Sequence, residues 1–410
     1  MYPLKRKFFS ALWRLKQATL EGYNITLIRL VEILTERYWL IDYLPTVTKK
    51  RTGVLLIRLD LIGDFVLWLD SAQAFRQLYP DQKITLAVNS SCVELAKALP
   101  YWDEVIGINV TALRTNYCYR LCALVKIRWK SFSIAIQPTF SREFVGDIVL
   151  RASGAFERIG YEGDCNNILI LIKNKTDAWY TRLITNDTKQ IMELNINAHF
   201  VRSLGLPDFL SGVPFIAKLV TDTKLSPKSP YVVVAPSASW NPKMWAIQNF
   251  ATLIKQLTAQ YDVQIVICGG PDDLVVCDKL ASLIESHNNV INIAGKTTIP
   301  QLLEVIRNAK ILISNDSAPV HIAAATSTLA VCVLGGGHFG RFLPYLPENS
   351  KQAPLPTVVN NPMNCYGCRW KCEYDISDFE AVPCIKGVSV AAVYEACTSA
   401  LNPKQSVALG

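Results

Sequence analysis

Residues 54–64 read Val54-Leu55-Leu56-Ile57-Arg58-Leu59-Asp60-Leu61-Ile62-Gly63-Asp64. Four consecutive apolar residues, none with a side-chain polar group to satisfy, suit a strand buried on both faces. Gly63 permits a tight turn, and a helical pattern over 64–79 follows at once. Strand, turn and helix in that order open a βαβ unit, and the alternation continues outward. Strands are expected at 84–88, 105–108 and 133–137, with a helix over 92–99. A polar, proline-punctuated segment follows, and strands resume at 231–235, 263–268, 290–293, 311–314 and 329–334. The expected organisation is a Rossmann-like domain over 52–205, a linker over 206–229 and a second Rossmann-like domain over 230–400. Two such α/β halves facing each other put a cleft outside the carboxyl ends of both sheets, where this class binds ligands. The last helix, 389–400, is expected to cross back to the first domain.

A chain of 410 residues is long enough for two cores. With 50% hydrophobic and 19% charged residues the composition is globular, which excludes a disordered bulk. No apolar run is long enough to span a membrane, and Arg14 and Lys16 interrupt what would be the core of a secretory signal. A cytoplasmic, reducing location is expected, with twelve cysteines acting as thiols or metal ligands. The formal charge of +8 is uneven: residues 1–51 hold ten Lys/Arg against four Asp/Glu. A nucleic-acid binder would spread basic residues over its body, so no nucleic-acid partner is expected. The extension 1–51 reads as helical, with Leu4, Phe8, Leu12 and Leu15 at helical spacing. Through residues 1–44 it suits either peripheral contact with the inner face of the cytoplasmic membrane or packing on the body or a second subunit.

Four segments carry candidate chemistry. Asp64, beyond the first strand, is either a helix N-cap or a carboxylate ready to take a proton from a hydroxyl. Ser237, Ser239 and Lys243 follow the strand at 231–235; hydroxyls and a cation there suit a diphosphate, or ordinary turn chemistry. Asn315-Asp316-Ser317-Ala318-Pro319-Val320-His321 runs from a strand into an Ala-rich helix. Small Ser317 and Ala318 let a phosphate approach N–H groups, while Asp316 and His321 support the loop, His321 by a hydrogen bond to Asp316 or the loop itself. Gly335-Gly336-Gly337-His338-Phe339-Gly340 fits a dinucleotide fingerprint, but Pro344 and Pro347 forbid the long helix that fingerprint needs. It reads as a flexible, cleft-lining loop. Cys365, Cys368, Cys372 and Cys384 have separations that can close a structural zinc or iron site; free thiols packing a loop are the other reading.

Taken together these segments resemble glycosyltransferase family 9, the lipopolysaccharide heptosyltransferases, over roughly residues 52–397. The carriers are RLDLIGD at 58–64, RIGYEG at 158–163, PSASWNPKMW at 236–245, ICGGPDD at 267–273 and NDSAPVHIAAA at 315–325. The resemblance implies a GT-B fold and an inverting transfer, typically from ADP-heptose, with no cofactor required for catalysis. It makes Asp64 the catalytic base, Lys243 the phosphate-binding lysine, Asp273 or Asp272 the ribose contact and Ser317-Ala318 the phosphate loop. The implied partners are a nucleotide-sugar donor and a glycolipid or glycan acceptor, lipopolysaccharide core or another envelope glycan. Transfer to a protein side chain and a non-catalytic nucleotide-sugar-binding scaffold are the alternatives. Ala318 stands where the family usually has Gly, Met244 replaces the common Arg or His, and the basic extension lies outside the usual pattern.

Overall fold

In a computed structural model of the chain, residues 50–186, 191–221, 225, 227–284, 290–349, 354–376 and 380–402 are described. The basic extension over 1–49, with its expected helices and membrane contact, lies outside them. Among the described residues, twelve strands form two six-stranded sheets. The first contains β1 (Val54–Arg58), β2 (Ile84–Asn89), β3 (Glu104–Ile108), β4 (Ile134–Gln137), β5 (Glu157–Tyr161) and β6 (Arg182–Ile184), in the order β3-β2-β1-β4-β5-β6. The second contains β7 (Tyr231–Ala235), β8 (Gln264–Ile267), β9 (Val290–Asn292), β10 (Ile311–Asn315), β11 (Ala330–Leu334) and β12 (Thr357–Asn360), in the order β12-β11-β10-β7-β8-β9. β1 pairs in parallel with β2 and β4, and β7 pairs in parallel with β8 and β10. Both sheets therefore wind the same way, and each reverses its strand order beside its first strand. Two Rossmann-like halves of this winding are the α/β, GT-B architecture that the sequence led us to expect.

Burial explains why these runs become strands. Every residue of β1, β7, β10 and β11 is buried, as a parallel sheet covered on both faces requires. The core of the first sheet gathers Leu55, Ile57, Ala135, Ile148, Val149 and Tyr180. That of the second gathers Val232, Val234, Trp245, Phe250, Ile254, Ile313 and Val331. Burying one such side chain contributes about 1.5–3 kcal/mol, so these runs anchor each sheet.

The chain divides into two compact units that interleave along the sequence rather than forming contiguous blocks. One takes residues up to Leu59, Asp81–Ser90 and Ile106–Asn186; the other takes Asp60–Pro80, Ser91–Val105 and the described residues from 191 onward. The helix α1 (Ile62–Ala72) thus belongs to the second unit, although it follows β1 directly. The expected linker lies along this second unit: Gly212 N–H donates to Asp70 at 2.8 Å, and Leu219 N–H donates to Glu304 at 2.9 Å. The final helix, Val390–Leu401, does not cross back as expected. Its buried Val393 and Cys397 join the core of the second sheet, because that is where an apolar face was left to cover. No helix among the described residues is long and apolar enough to cross a membrane.

Candidate active site at the carboxyl edge of the second sheet

β7 and β10 are neighbours at the point where the second sheet reverses its strand order. The segments after both strands therefore emerge side by side, with Ala235 paired to Ser314 at their ends. Asn315 ties these segments together. Its Oδ1 accepts from Trp245 N–H at 2.9 Å, and its Nδ2 donates to the Pro236 carbonyl at 2.7 Å. Trp245 is anchored in turn by its indole N–H, which donates to the Val388 carbonyl at 2.9 Å. The turn Asn241–Lys243 is a single 3-10 turn started by Pro242, and it delivers Lys243 between these anchors. Ser237 is buried beside β7 and Ser239 is exposed.

Three ionisable groups of the second unit share one neighbourhood. Burial pulls the Lys243 ammonium below its usual range, while Asp316 and Asp64 pull it back up. Burial pushes the Asp316 carboxyl up, and Lys243 opposes that shift. Asp64 is half-buried in the first turn of α1 and is not its N-cap. The helix begins two residues earlier than the sequence suggests, with Leu61 at the N-cap and no side-chain cap. Asp64 instead occupies the third helical position, in the first turn of α1.

Gly63 shows how α1 comes so near. A Cβ at Gly63 would lie 3.1 Å from the His321 ring and 3.5 Å from Cα of Ala318. The start of α1 thus meets the start of the helix α2 (Ala318–Ala325), which brings Asp64 and Ala318 together. Ser317 precedes α2 without capping it; its hydroxyl lies 3.1 Å from that of Ser314 and donates to the Asn315 carbonyl at 3.3 Å. Pro319 in the first turn removes an N–H that the helix cannot use.

His321 does not bond Asp316 or the loop. Its Nδ1 lies 2.8 Å from the Tyr345 hydroxyl, and the two rings stack with centroids 5.9 Å apart. The ring sits one turn into α2 and is buried. Burial lowers its pKa to about 4, so it is neutral near pH 7. Asp273 is half-buried and closes its own turn, Oδ2 accepting from Gly270 N–H at 2.8 Å, whereas Asp272 is exposed. Both lie beyond β8, on the same carboxyl edge. Nearby, burial pushes the Cys92 thiol up to about 12, so it stays protonated.

The glycine run after β11 is buried and pinned, not flexible. A Cβ at Gly336 would lie 2.2 Å from the Tyr366 ring, and one at Gly337 would lie 2.3 Å from the Trp370 ring. The glycines serve close aromatic packing, and no helix follows them. Cys365, Cys368, Cys372 and Cys384 line one recess with Gly336, Gly337 and Trp370. Among the described residues, however, no three such side chains are arranged to hold a metal ion. The expected zinc or iron set thus finds no such arrangement among them, and Cys384 Sγ accepts from Gly336 N–H at 3.4 Å. Sequence reasoning did not single out Asn315, Tyr345 or Trp370. The first lay inside a quoted motif, while the other two gave no local signal.

Comparison with known proteins bears on the family and the fold. The family model described as glycosyltransferase family 9 (heptosyltransferase) matches residues 147–365, more than half of the chain. Lipopolysaccharide heptosyltransferase 3 of Escherichia coli strain K12 is 27% identical over 284 residues, covering 67% of this chain and 79% of that protein. Lipooligosaccharide heptosyltransferase 2 of Haemophilus ducreyi is 23% identical over 320 residues, covering 75% of this chain and 89% of that protein. The solved ADP-heptose lps heptosyltransferase II of E. coli superposes with a TM-score of 0.63 at 19% identity, over 86% of this chain and 100% of that one.

Proposed function

This chain belongs to glycosyltransferase family 9, the heptosyltransferases, and we propose that it moves a heptose from an ADP-sugar to a hydroxyl of a lipopolysaccharide-core or related envelope acceptor. The observation that carries the reading is the shared neighbourhood of Asp64, Lys243 and Asp316 beside the start of α2. Two carboxylates and one cation sit where a strand-order reversal favours a nucleotide ligand.

In this reading Asp64 takes the proton of the acceptor hydroxyl, whose oxygen attacks the anomeric carbon. The new C–O bond forms on the face opposite the diphosphate, the anomeric C–O bond to phosphate breaks, and ADP leaves. Charge growing on the leaving oxygen is met by Lys243, the Ser237 and Ser239 hydroxyls, and the N–H groups at Ser317 and Ala318. A fixed cation and fixed donors suffice for that task, so the proposed step calls on no cofactor. Asp272, exposed beyond β8, is better disposed than the turn-closing Asp273 to reach a ribose hydroxyl. The basic residues of 1–44 would hold the enzyme at the inner face of the membrane, near a lipid-linked acceptor.

A donor screen following nucleotide release tests the reading, with ADP-heptose set against other ADP-, UDP- and GDP-sugars. Acceptor-dependent release from ADP-heptose is expected. Turnover with a different sugar alone would remove the heptose assignment, and no turnover with any donor would remove the transferase reading.

A further inference from the structure

The loop over residues 363–374 packs Met363, Tyr366, Trp370 and Cys372 against the core of the second sheet, takes no part in the proposed chemistry, and reaches Lys243. The Lys243 Nζ lies over the face of Trp370, 4.5 Å from the ring centroid. Trp370 is held from several sides. Its ring covers Gly337, leaving no room for a Cβ, and makes an edge contact with Trp240 at 6.0 Å between centroids. Its indole N–H donates to His338 Nδ1 at 3.3 Å. The backbone is held as well: Arg369 N–H donates to the Gly337 carbonyl and Gly367 N–H to the Gly336 carbonyl, both at 2.8 Å. Arg369 and Trp370 both adopt left-handed backbone, with φ of 54° and 62°, which residues bearing a Cβ rarely take. Two successive residues in that region persist only where the surroundings over-determine them, and such places cluster at ligand sites.

The geometry points to Trp370 as a positioning residue that holds Lys243 extended for the donor diphosphate. The inference rests on the reading that Lys243 binds that diphosphate. An aromatic face suits the task physically. A lysine stem loses rotamer entropy when it is ordered on a ligand, and a ring that orders it beforehand removes that cost from binding. A carboxylate in the same place would cancel the charge the phosphate needs, whereas the ring holds the cation without adding a formal negative charge. Gly337 is then glycine because any side chain there would displace the indole. The cysteine-bearing loop is the support that carries Trp370 to its place, with Cys384 tied to the same glycine run.

The test is a double-mutant cycle on ADP binding, read by calorimetry, with melting temperatures recorded for each protein. Trp370→Leu should raise the ADP Kd by roughly 3- to 30-fold, the range of a partly desolvated cation–π contact. Trp370→Phe should recover most of the affinity. Gly337→Ala, which leaves the indole present but pushes it aside, should reproduce the Trp370→Leu loss. In a Lys243→Ala background, Trp370→Leu should change the Kd by less than about twofold, because its partner is already gone. Equal losses from Trp370→Leu in both backgrounds would overturn the inference, and so would an unchanged Kd in a folded Trp370→Leu protein. If Trp370→Leu does not fold, Trp370→Phe and Gly337→Ala decide the matter in the same two backgrounds. An ADP Kd unmoved by Lys243→Ala alone would instead defeat the diphosphate reading itself.

Discussion

Beyond β4 in the first sheet, Arg142, Asp147, Tyr180 and Asp177 form a network of charges and hydrogen bonds that Lys173 joins through Asp177. The Tyr180 hydroxyl lies 2.6 Å from Asp147 Oδ1 and 2.7 Å from Gln137 Oε1. The Arg142 guanidinium bonds Asp177, sits 3.9 Å from Asp147 and stacks over the Tyr180 ring at 4.6 Å. Beyond β7 and β10 in the second sheet the charges are held differently. Lys243 has an aromatic face against its ammonium, and Asp316 and Asp64 act on it through the field. Both regions sit after strands of identically ordered sheets. The first sets buried charges against each other, although Arg142 Nε and Nη1 and Asp147 Oδ2 make no hydrogen bond, so removing one partner strands the other. The second holds its lysine by a ring that leaves the charge open to an anion. The difference is one of contact: the first region sets its cation directly against carboxylates, whereas Lys243 rests on a ring with Asp316 and Asp64 acting through the field.

This contrast is open to attack at four points. Asp64→Asn should have the largest effect, lowering kcat by about 10²–10⁴ while leaving the ADP Kd nearly unchanged. Steady-state kinetics with near-normal turnover would remove Asp64 as the base. Next, Arg142→Leu should cost about 3–5 kcal/mol of stability, since it leaves Asp147 buried without its cation. Urea denaturation measures this, and a loss below about 1 kcal/mol would show the network to be weaker than its geometry implies. Asn315→Ala comes third. It strips partners from Trp245 N–H and the Pro236 carbonyl, at about 1–3 kcal/mol for each buried group left unpaired. A weaker ADP affinity should accompany that loss, and unaltered affinity would mean the loops hold their places without Asn315.

The smallest effect concerns pH. His321 titrates near 4 in the folded protein, below its ordinary 6.5, because burial disfavours the charged ring. The unfolded chain therefore binds the proton first as pH falls. The stability His321 contributes is fully present above about 6.5 and is lost progressively toward 4. His321→Gln should flatten the fall in denaturation midpoint across that window and leave its slope above pH 7 unchanged. An identical slope in both proteins would place the titration elsewhere.

Strands buried on both faces were plain in the sequence, because runs such as Tyr231–Ala235 have no polar face to blur them. β5, β6 and β12 were not. Arg158 sits inside β5 with its guanidinium donating to the Ala155 carbonyl, so a charge interrupts the apolar pattern. β6 has only three residues, and β12 is half-exposed along its length. Asp64, Lys243 and Ser317-Ala318 could be singled out as candidates because each lies on a segment leaving an apolar strand. Tyr345 lies 24 residues from the His321 it bonds, and Trp245 lies 70 from Asn315. Only the folded sheet order brings such pairs together, so no local pattern marks them. The cysteine spacing was equally legible, yet spacing alone does not set the direction of a thiol.

The central claim is a single displacement with Asp64 as base, and the anomeric configuration of the product tests it most directly. With a β-configured ADP-heptose and an acceptor that is turned over, nuclear magnetic resonance of the isolated product should show an α-linked sugar. A β-linked product, formed with retention, would contradict the account.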